Sequence, residues 1–128
     1  MTLRSTALLG YDHVQLAMPR GGEEQARAFW TGVLGFVELE RPADMAGRAG
    51  AWFGFPGGQL HVGAEDAFVA AKKAHPAFRA RSAEAVTELA RHLEAAGCTV
   101  RWATESPDTA RFHVDDPFGN RLEFTCPR

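Results

Sequence analysis

Ligand-type side chains recur in this chain at one fixed interval. His61 and Glu123, His13 and His75, and Gly35 and Gly97 are all separated by the same number of positions along the chain. A shared spacing of this kind implies two copies of one folding unit, related by a pseudo-two-fold axis. Each copy offers a histidine at its first strand and a histidine or carboxylate in its last. Convergence of the four requires both units to turn the same sheet face toward a common centre, which leaves few architectures open.

The local pattern supports the duplication. Asp115-Asp116-Pro117-Phe118-Gly119-Asn120 reads as a strand end and a tight turn, with Asp-Pro as initiator and Gly-Asn tolerant of positive φ. Beyond it, Arg121, Glu123 and Thr125 alternate with Leu122, Phe124 and Cys126, the period of a strand with two distinct faces. Glu123 thus sits mid-strand, where a carboxylate is disfavoured unless its face has a use for it. Residues 11–18 alternate in the same way, with His13, Gln15 and Ala17 on one face.

Residues 23–34 predict a helix, with Glu23 and Glu24 at its positive end, an apolar stripe of Ala26, Phe29, Trp30 and Val33, and Gly35 as its stop. Strands are expected over 36–40, 49–55 and 59–63, the last two joined by Pro56-Gly57-Gly58. The order then restarts with a strand over 74–80 and a helix capped by Ser82, carrying Val86, Leu89, Ala90 and Leu93 and stopped by Gly97. Strands over 98–102, 110–115 and 121–126 follow, with a loop containing Pro107 between the first two. The helix stripes superpose at a slightly shorter offset than the ligand positions, so the second helix ends a little later in its unit. The expected fold is α+β: two βαβββ modules, residues 1–63 and 74–128, joined by a partly helical linker over 64–73. Their strands should form a curved, partly closed sheet around a cavity, with the helices outside.

Composition narrows the partners. An apolar fraction of 45% and a charged fraction of 23% suit a globular domain. A net charge of −2 without a basic stripe argues against nucleic acid. No apolar stretch is long enough to span a membrane, and the run Ala7-Leu8-Leu9 is too short for a signal segment. Cys98 and Cys126 form no disulfide framework and read as reduced thiols, which suggests a cytoplasmic protein.

His13, His61, His75 and Glu123 are the candidate metal ligands. Three imidazoles and one carboxylate suit a divalent Zn, Fe, Ni, Mn or Co ion, with a net charge of +1. An octahedral ion would keep two positions for water or substrate, which marks catalytic sites. Taken singly, a strand histidine is more often hydrogen-bonded and a glutamate solvated; the shared spacing is what favours metal. Strand parity puts Gln15 with His13, Gln59 with His61, and Arg121 with Glu123, so these polar residues and Arg111 are candidate substrate contacts. Arg79, Arg111 and Arg121 suit a substrate carboxylate or phosphate. His113 shares a strand face with Arg111 and could line the same cavity, although the repeat does not single it out; His92 is expected to be exposed. Trp52, Phe53, Phe55, Trp102 and Phe112 are expected to be mostly core, with one or two lining a pocket.

Together the two βαβββ halves, Asp12-His13-Val14-Gln15-Leu16, the Phe29-Trp30…Leu34-Gly35-Phe36 helix exit and the Asp116-Pro117-Phe118-Gly119-Asn120-Arg121-Leu122-Glu123 close resemble the vicinal oxygen chelate superfamily. That group includes glyoxalase I, bleomycin-binding resistance proteins, fosfomycin-modifying enzymes, methylmalonyl-CoA epimerase and extradiol dioxygenases. The resemblance implies metal ligands at His13, His61, His75 and Glu123. His61 falls where bacterial glyoxalase I has a glutamate and the epimerase a glutamine, which leaves Glu123 as the one carboxylate base at the metal. The implied function is a glyoxalase-like lyase or isomerase acting on vicinal oxygens of a small substrate. The alternatives are a ring-cleaving dioxygenase or a non-enzymatic drug-binding protein. The resemblance also implies a homodimer, in which exposed sheet edges find cover.

Overall fold

A computed structural model describes residues 5–104 and 108–127. The strands are β1 (His13–Met18), β2 (Val37–Leu39), β3 (Ala51–Phe55), β4 (Gly58–Ala64), β5 (Ala77–Arg79), β6 (Arg101–Trp102), β7 (Thr109–Asp115) and β8 (Arg121–Pro127). Helix α1 (Glu23–Arg27) follows β1, and α2 (Ala83–Ala95) follows β5. The strands form two four-stranded sheets of identical topology, ordered β1-β4-β3-β2 and β5-β8-β7-β6. In each the first and last strands pair in parallel and the other contacts are antiparallel. The parallel registers also match. Gln15 faces His61, and Ala77, which the repeat makes the equivalent of Gln15, faces Glu123. The fold is α+β with two βαβββ modules, as the repeat predicts.

Alternation sorts each strand into two faces. On β8 Leu122, Phe124 and Cys126 are buried while Arg121, Glu123 and Thr125 are half-exposed; β7 alternates in step. Both sheets turn their apolar faces into one core. It holds Leu16, Met18, Phe53 and Leu60 from the first module and Phe112, Val114, Leu122 and Phe124 from the second. Phe78 reaches across the module boundary to Trp30, Phe36 and Phe55, with ring centroids 5.5–6.0 Å apart. Of the aromatics expected in the core, Phe53 and Phe112 are fully buried, whereas Trp102 is 43% exposed.

Where elements differ from expectation, hydrogen bonding supplies the reason. The predicted 23–34 helix is α-helical only to Arg27 and continues as a π-helix over Ala28–Val33, closed by Leu34 N–H donating to Phe29 O at 2.9 Å. The wider turn brings neighbouring side chains closer in angle, and the adjacent Phe29 and Trp30 are both buried. Strand β6 begins only at Arg101 because Gly97 and Cys98 are spent on the end of α2. Gly97, at φ +92°, donates to Glu94 O, and Cys98 donates to Leu93 O, a Schellman cap. Ser82 Oγ caps the other end, accepting from Ala85 N–H at 3.1 Å. Pro76 lacks an N–H, and β5 shrinks to Ala77–Arg79. Segment 64–73, expected to be partly helical, contains no helix. Its backbone runs instead beside β8, where Ala71 O accepts from Arg121 N–H at 2.9 Å. Pro107 lies outside the described residues. None of the described helices is long and apolar enough to cross a membrane.

The Asp116–Asn120 turn is the principal polar tie between the modules. Asn120 is 1% exposed. Its Nδ2 donates to Ala17 O on β1 and to Asp116 Oδ2, and its Oδ1 accepts from Ala71 N–H, all at 2.8–2.9 Å. Asp116 Oδ1 accepts from Phe118 and Asn120 N–H, while Gly119 supplies a φ of +93°. Burial raises the Asp116 pKa, and these hydrogen bonds offset that only in part. Asn120→Ala should strand several buried partners at once and cost about 3 kcal/mol. Urea unfolding would show this as a lower midpoint at unchanged slope.

Candidate metal-binding site

The polar face of the second sheet gathers His75, His113, Glu123 and Arg111. His113 lies directly opposite Glu123 in the β7–β8 register. His75 precedes β5 and is brought alongside by the bond from Glu123 N–H to Pro76 O at 3.0 Å. One carboxylate oxygen, Glu123 Oε1, lies 3.0 Å from His75 Nε2 and 3.2 Å from His113 Nε2. Arg111 Nε stands 3.9 Å from the other oxygen. The Glu123 side chain is 14% exposed. Burial alone would raise its pKa, but the hydrogen bond from His75 and the charges of His113 and Arg111 reverse this and leave it lowered. It is therefore ionised at neutral pH.

His75 is held from behind. Its Nδ1 lies 3.1 Å from Lys72 O and 3.0 Å from Lys73 O. Carbonyls only accept, so Nδ1 carries the proton and Nε2 is directed at Glu123. Histidine ligands of metals are commonly oriented in this way.

The first sheet carries a matching trio with different chemistry. His61 lies opposite Trp52 in the β3–β4 register, and their rings stack at 4.1 Å and 4°. His13 stacks on the other side at 4.2 Å and 12°. His61 is consequently buried at 4% exposure although it lies on the polar face. Its Nε2 donates to Gln59 Oε1 at 2.8 Å, and His13 Nδ1 donates to Asp12 Oδ2 at 3.0 Å. Ring lone pairs lie in the ring plane, so two parallel rings cannot point at one ion until one of them turns.

The four residues singled out by the repeat therefore come together as two pairs, His13 with His61 and His75 with Glu123, each on its own sheet. Among the described residues, the one group of three or more donors drawn close enough for an ion is His75, His113 and Glu123. Gln15 faces His61 and Gln59 faces His13 across β1 and β4. Arg121 faces Asp115 across β7 and β8, and its buried Nε has no hydrogen-bond partner. A recess of about 500 Å³ lies elsewhere, lined by Gln25, Phe29, Cys98, Arg101 and Asp115, and includes none of the candidate ligands. His92 is exposed, as expected, and its Nε2 donates to Val33 O at 2.7 Å.

The repeat does not single out His113 because it slips by one position there. Its structural counterpart in the first module is Trp52, one place out of step with the ligand spacing, and Trp is not a ligand type. The usable signal was strand parity, which puts Arg111, His113 and Asp115 on one face of β7.

Burial, followed by the charge of His13, lowers the His61 pKa from 6.5, and Asp12 opposes this weakly. The unfolded ring binds a proton that the folded ring refuses, so His61 costs stability as pH falls below about 6.5. An NMR titration should find His61 neutral to lower pH than a free histidine. Trp52→Ala should return it toward 6.5 and reduce the acid-side loss of stability.

A sequence model of the Glyoxalase/Bleomycin resistance protein/Dioxygenase superfamily matches residues 10–124. No functionally curated protein matches significantly. Among solved structures, a protein assigned to the glyoxalase family from Bacillus anthracis is 40% identical, with a TM-score of 0.88 over 94% of this chain and 97% of that one. A glyoxalase/dioxygenase from Nostoc punctiforme superposes at 0.80 with 19% identity, over 100% and 97% of the two chains. The fosfomycin resistance protein FosX from Listeria monocytogenes superposes at 0.71 with 16% identity, over 94% and 93%. The last two share the fold alone. With its duplicated βαβββ modules and this match over nearly its whole length, the chain belongs to the Glyoxalase/Bleomycin resistance protein/Dioxygenase superfamily.

Proposed function

We propose that the chain is a metal-dependent enzyme, a lyase or isomerase, acting on vicinal oxygens of a small substrate. The observation that carries this reading is the ionised Glu123 shared by two imidazole nitrogens on a half-exposed sheet face. Imidazole and carboxylate donors suit a divalent Zn, Ni, Fe, Mn or Co ion. Such an ion, when bound, polarises a substrate carbonyl and acidifies the adjoining C–H. Glu123 is the acceptor for that proton, and Arg111 and Arg121 hold an anionic group on the substrate. Two histidines and one carboxylate also make up the donor set of iron(II) oxygenases, which keeps ring cleavage as the second reading.

In this reading His13 and His61 complete the centre from a second copy of the chain, in a homodimer, with Gln15 and Gln59 as substrate contacts. Its support is that each pair sits on the face of its sheet opposite the shared core. In addition, β1 and β5 are end strands with one sheet neighbour each. The free thiols Cys98 and Cys126 fit a reducing cytoplasm.

The purified chain, loaded in turn with each candidate metal, should turn over one of glutathione hemithioacetal, a CoA thioester or a catechol. Oxygen uptake with catechols would select the second reading. Glu123→Gln should lower kcat by about 10²–10⁴-fold with the fold retained. Sedimentation should show a dimer. A mixture of His13→Ala/His61→Ala with His75→Ala/Glu123→Gln should regain activity that neither variant has alone; no recovery overturns the shared site.

A further inference from the structure

We propose that Arg79, Thr125 and Arg111 form an anion-binding subsite, so that the substrate carries a carboxylate or phosphate about 7 Å from its reacting oxygens. The proposal rests on the metal-dependent reading above and deepens it by naming the substrate class. It adds Arg79 and Thr125, to which that reading gives no part.

Register places the three residues. Arg79 on β5 and Arg111 on β7 both pair with Thr125 on β8, so they stand in one line across three neighbouring strands. The core side pins that line. Phe78, Phe124 and Phe112, each one position away, form a stacked ladder with ring centroids 5.3 Å apart and pack into the core. Alternation then sends Arg79, Thr125 and Arg111 to the opposite face, which also carries Glu123. Neighbouring strands are about 4.8 Å apart, so the two arginines flank the hydroxyl over a span of about 10 Å. Forked guanidinium donors on either side of a hydroxyl match the oxygens of a carboxylate or phosphate.

Charge points the same way. On this face the strands of the second sheet carry Arg79, Arg101, Arg111 and Arg121 against only two carboxylates, Asp115 and Glu123. Both carboxylates are engaged. Asp115 holds Lys72 and Arg101 at 3.3 and 2.9 Å, and Glu123 holds His75 and His113 at 3.0 and 3.2 Å. Arg79 is exposed and makes no hydrogen bond or ion pair with any described residue. Positive charge is thus concentrated on one face of a chain whose net charge is −2. The corresponding face of the first sheet, which includes His13, Gln15, Trp52, Gln59 and His61, has no Asp, Glu, Lys or Arg among its strand residues. The excess is therefore particular to the second module and is not a by-product of the fold. Like charges set close together on a sheet repel, and an anion bound between them removes that cost.

Distance sets the shape of the ligand. Thr125 lies two positions beyond Glu123 on β8, a step of about 7 Å along one face. Arg121 lies an equal step away on the other side of Glu123, so Arg79 and Thr125 serve the opposite end of the face. Arg111, with Nε 3.9 Å from Glu123 Oε2, borders both the carboxylate and the subsite.

Calorimetric titration of the full chain, stripped of metal and at low ionic strength, with inorganic phosphate and with malonate tests the subsite. One anion should bind per chain. Arg79→Gln should weaken binding by about tenfold or more, and Thr125→Val by a smaller factor, with circular dichroism confirming the fold. Arg79→Lys, which keeps the charge and loses the fork, should fall between the parent and Arg79→Gln. Arg91→Gln, which removes the same charge from an exposed position on α2, should bind like the parent. Tighter binding of phosphate selects a phosphorylated substrate, and tighter binding of malonate a carboxylate. If neither anion binds, or if Arg79→Gln and Arg91→Gln have equal effects, the subsite is overturned. Co(II) titration, read by its visible spectrum, reports separately on the metal-dependent reading. Arg79→Gln should take up Co(II) like the parent, which separates loss of the anion from loss of the metal centre. A parent that binds phosphate or malonate but no Co(II) overturns the metal-dependent reading and leaves the subsite standing.

Discussion

The buried carboxylate–amide knot of Asp116 and Asn120 is the interaction on which the relation between the modules depends. Asn120 reaches the backbone of β1 in one module, the linker between modules, and the turn that opens β8 in the other. Each partner is a buried or half-buried polar group that would otherwise be unsatisfied, so the knot has little freedom to rearrange. The aromatic contacts of Phe78 with Trp30, Phe36 and Phe55 add apolar area across the same boundary, but area is not directional. The knot supplies the direction: it sets the linker against β8, and that brings His75 to the rim of the second sheet beside Glu123.

Duplication explains the scaffold, and divergence explains the chemistry. Both modules keep the same strand order and the same register of their parallel pair. At three equivalent positions they have separated into two materials. The first module stacks Trp52, His61 and His13 face to face, which dries His61 and keeps it neutral. The second sets His75 and His113 around an anionic Glu123, with Arg111 behind, and keeps the carboxylate charged. One half is a stacked ring surface and the other a charged one.

The elements and their faces were legible in the sequence because they follow from local rules. Period-two alternation fixed which residues of β7 and β8 look outward, and the Asp-Pro and Gly-Asn chemistry of residues 116–120 marked the hairpin. Ser82 and Gly97 marked the ends of α2. The shared spacing singles out His13, His61, His75 and Glu123 as candidates from the sequence alone. Less was legible where one segment borrows hydrogen bonds from another. The path of the linker is of this kind, since it follows the bond from Arg121 N–H to Ala71 O, whereas the π turns after α1 and the late start of β6 come from local bonds that hydrophobic period does not distinguish.

What the sequence determined by itself is the duplicated βαβββ order and the parity of every candidate ligand, since both are properties of neighbouring residues along one strand. What only the tertiary structure decided is which of the candidate residues meet. The pairing of His113 with Glu123 is set by the length of the 116–120 turn, and a change of register there would have turned Arg111 or Asp115 toward the carboxylate instead. The separation of His13 and His61 from His75 and Glu123 is set by a shared apolar core, which faces both sheets inward and sends their polar faces apart. Register and packing are long-range, and a repeated spacing along the chain carries no information about distance across it.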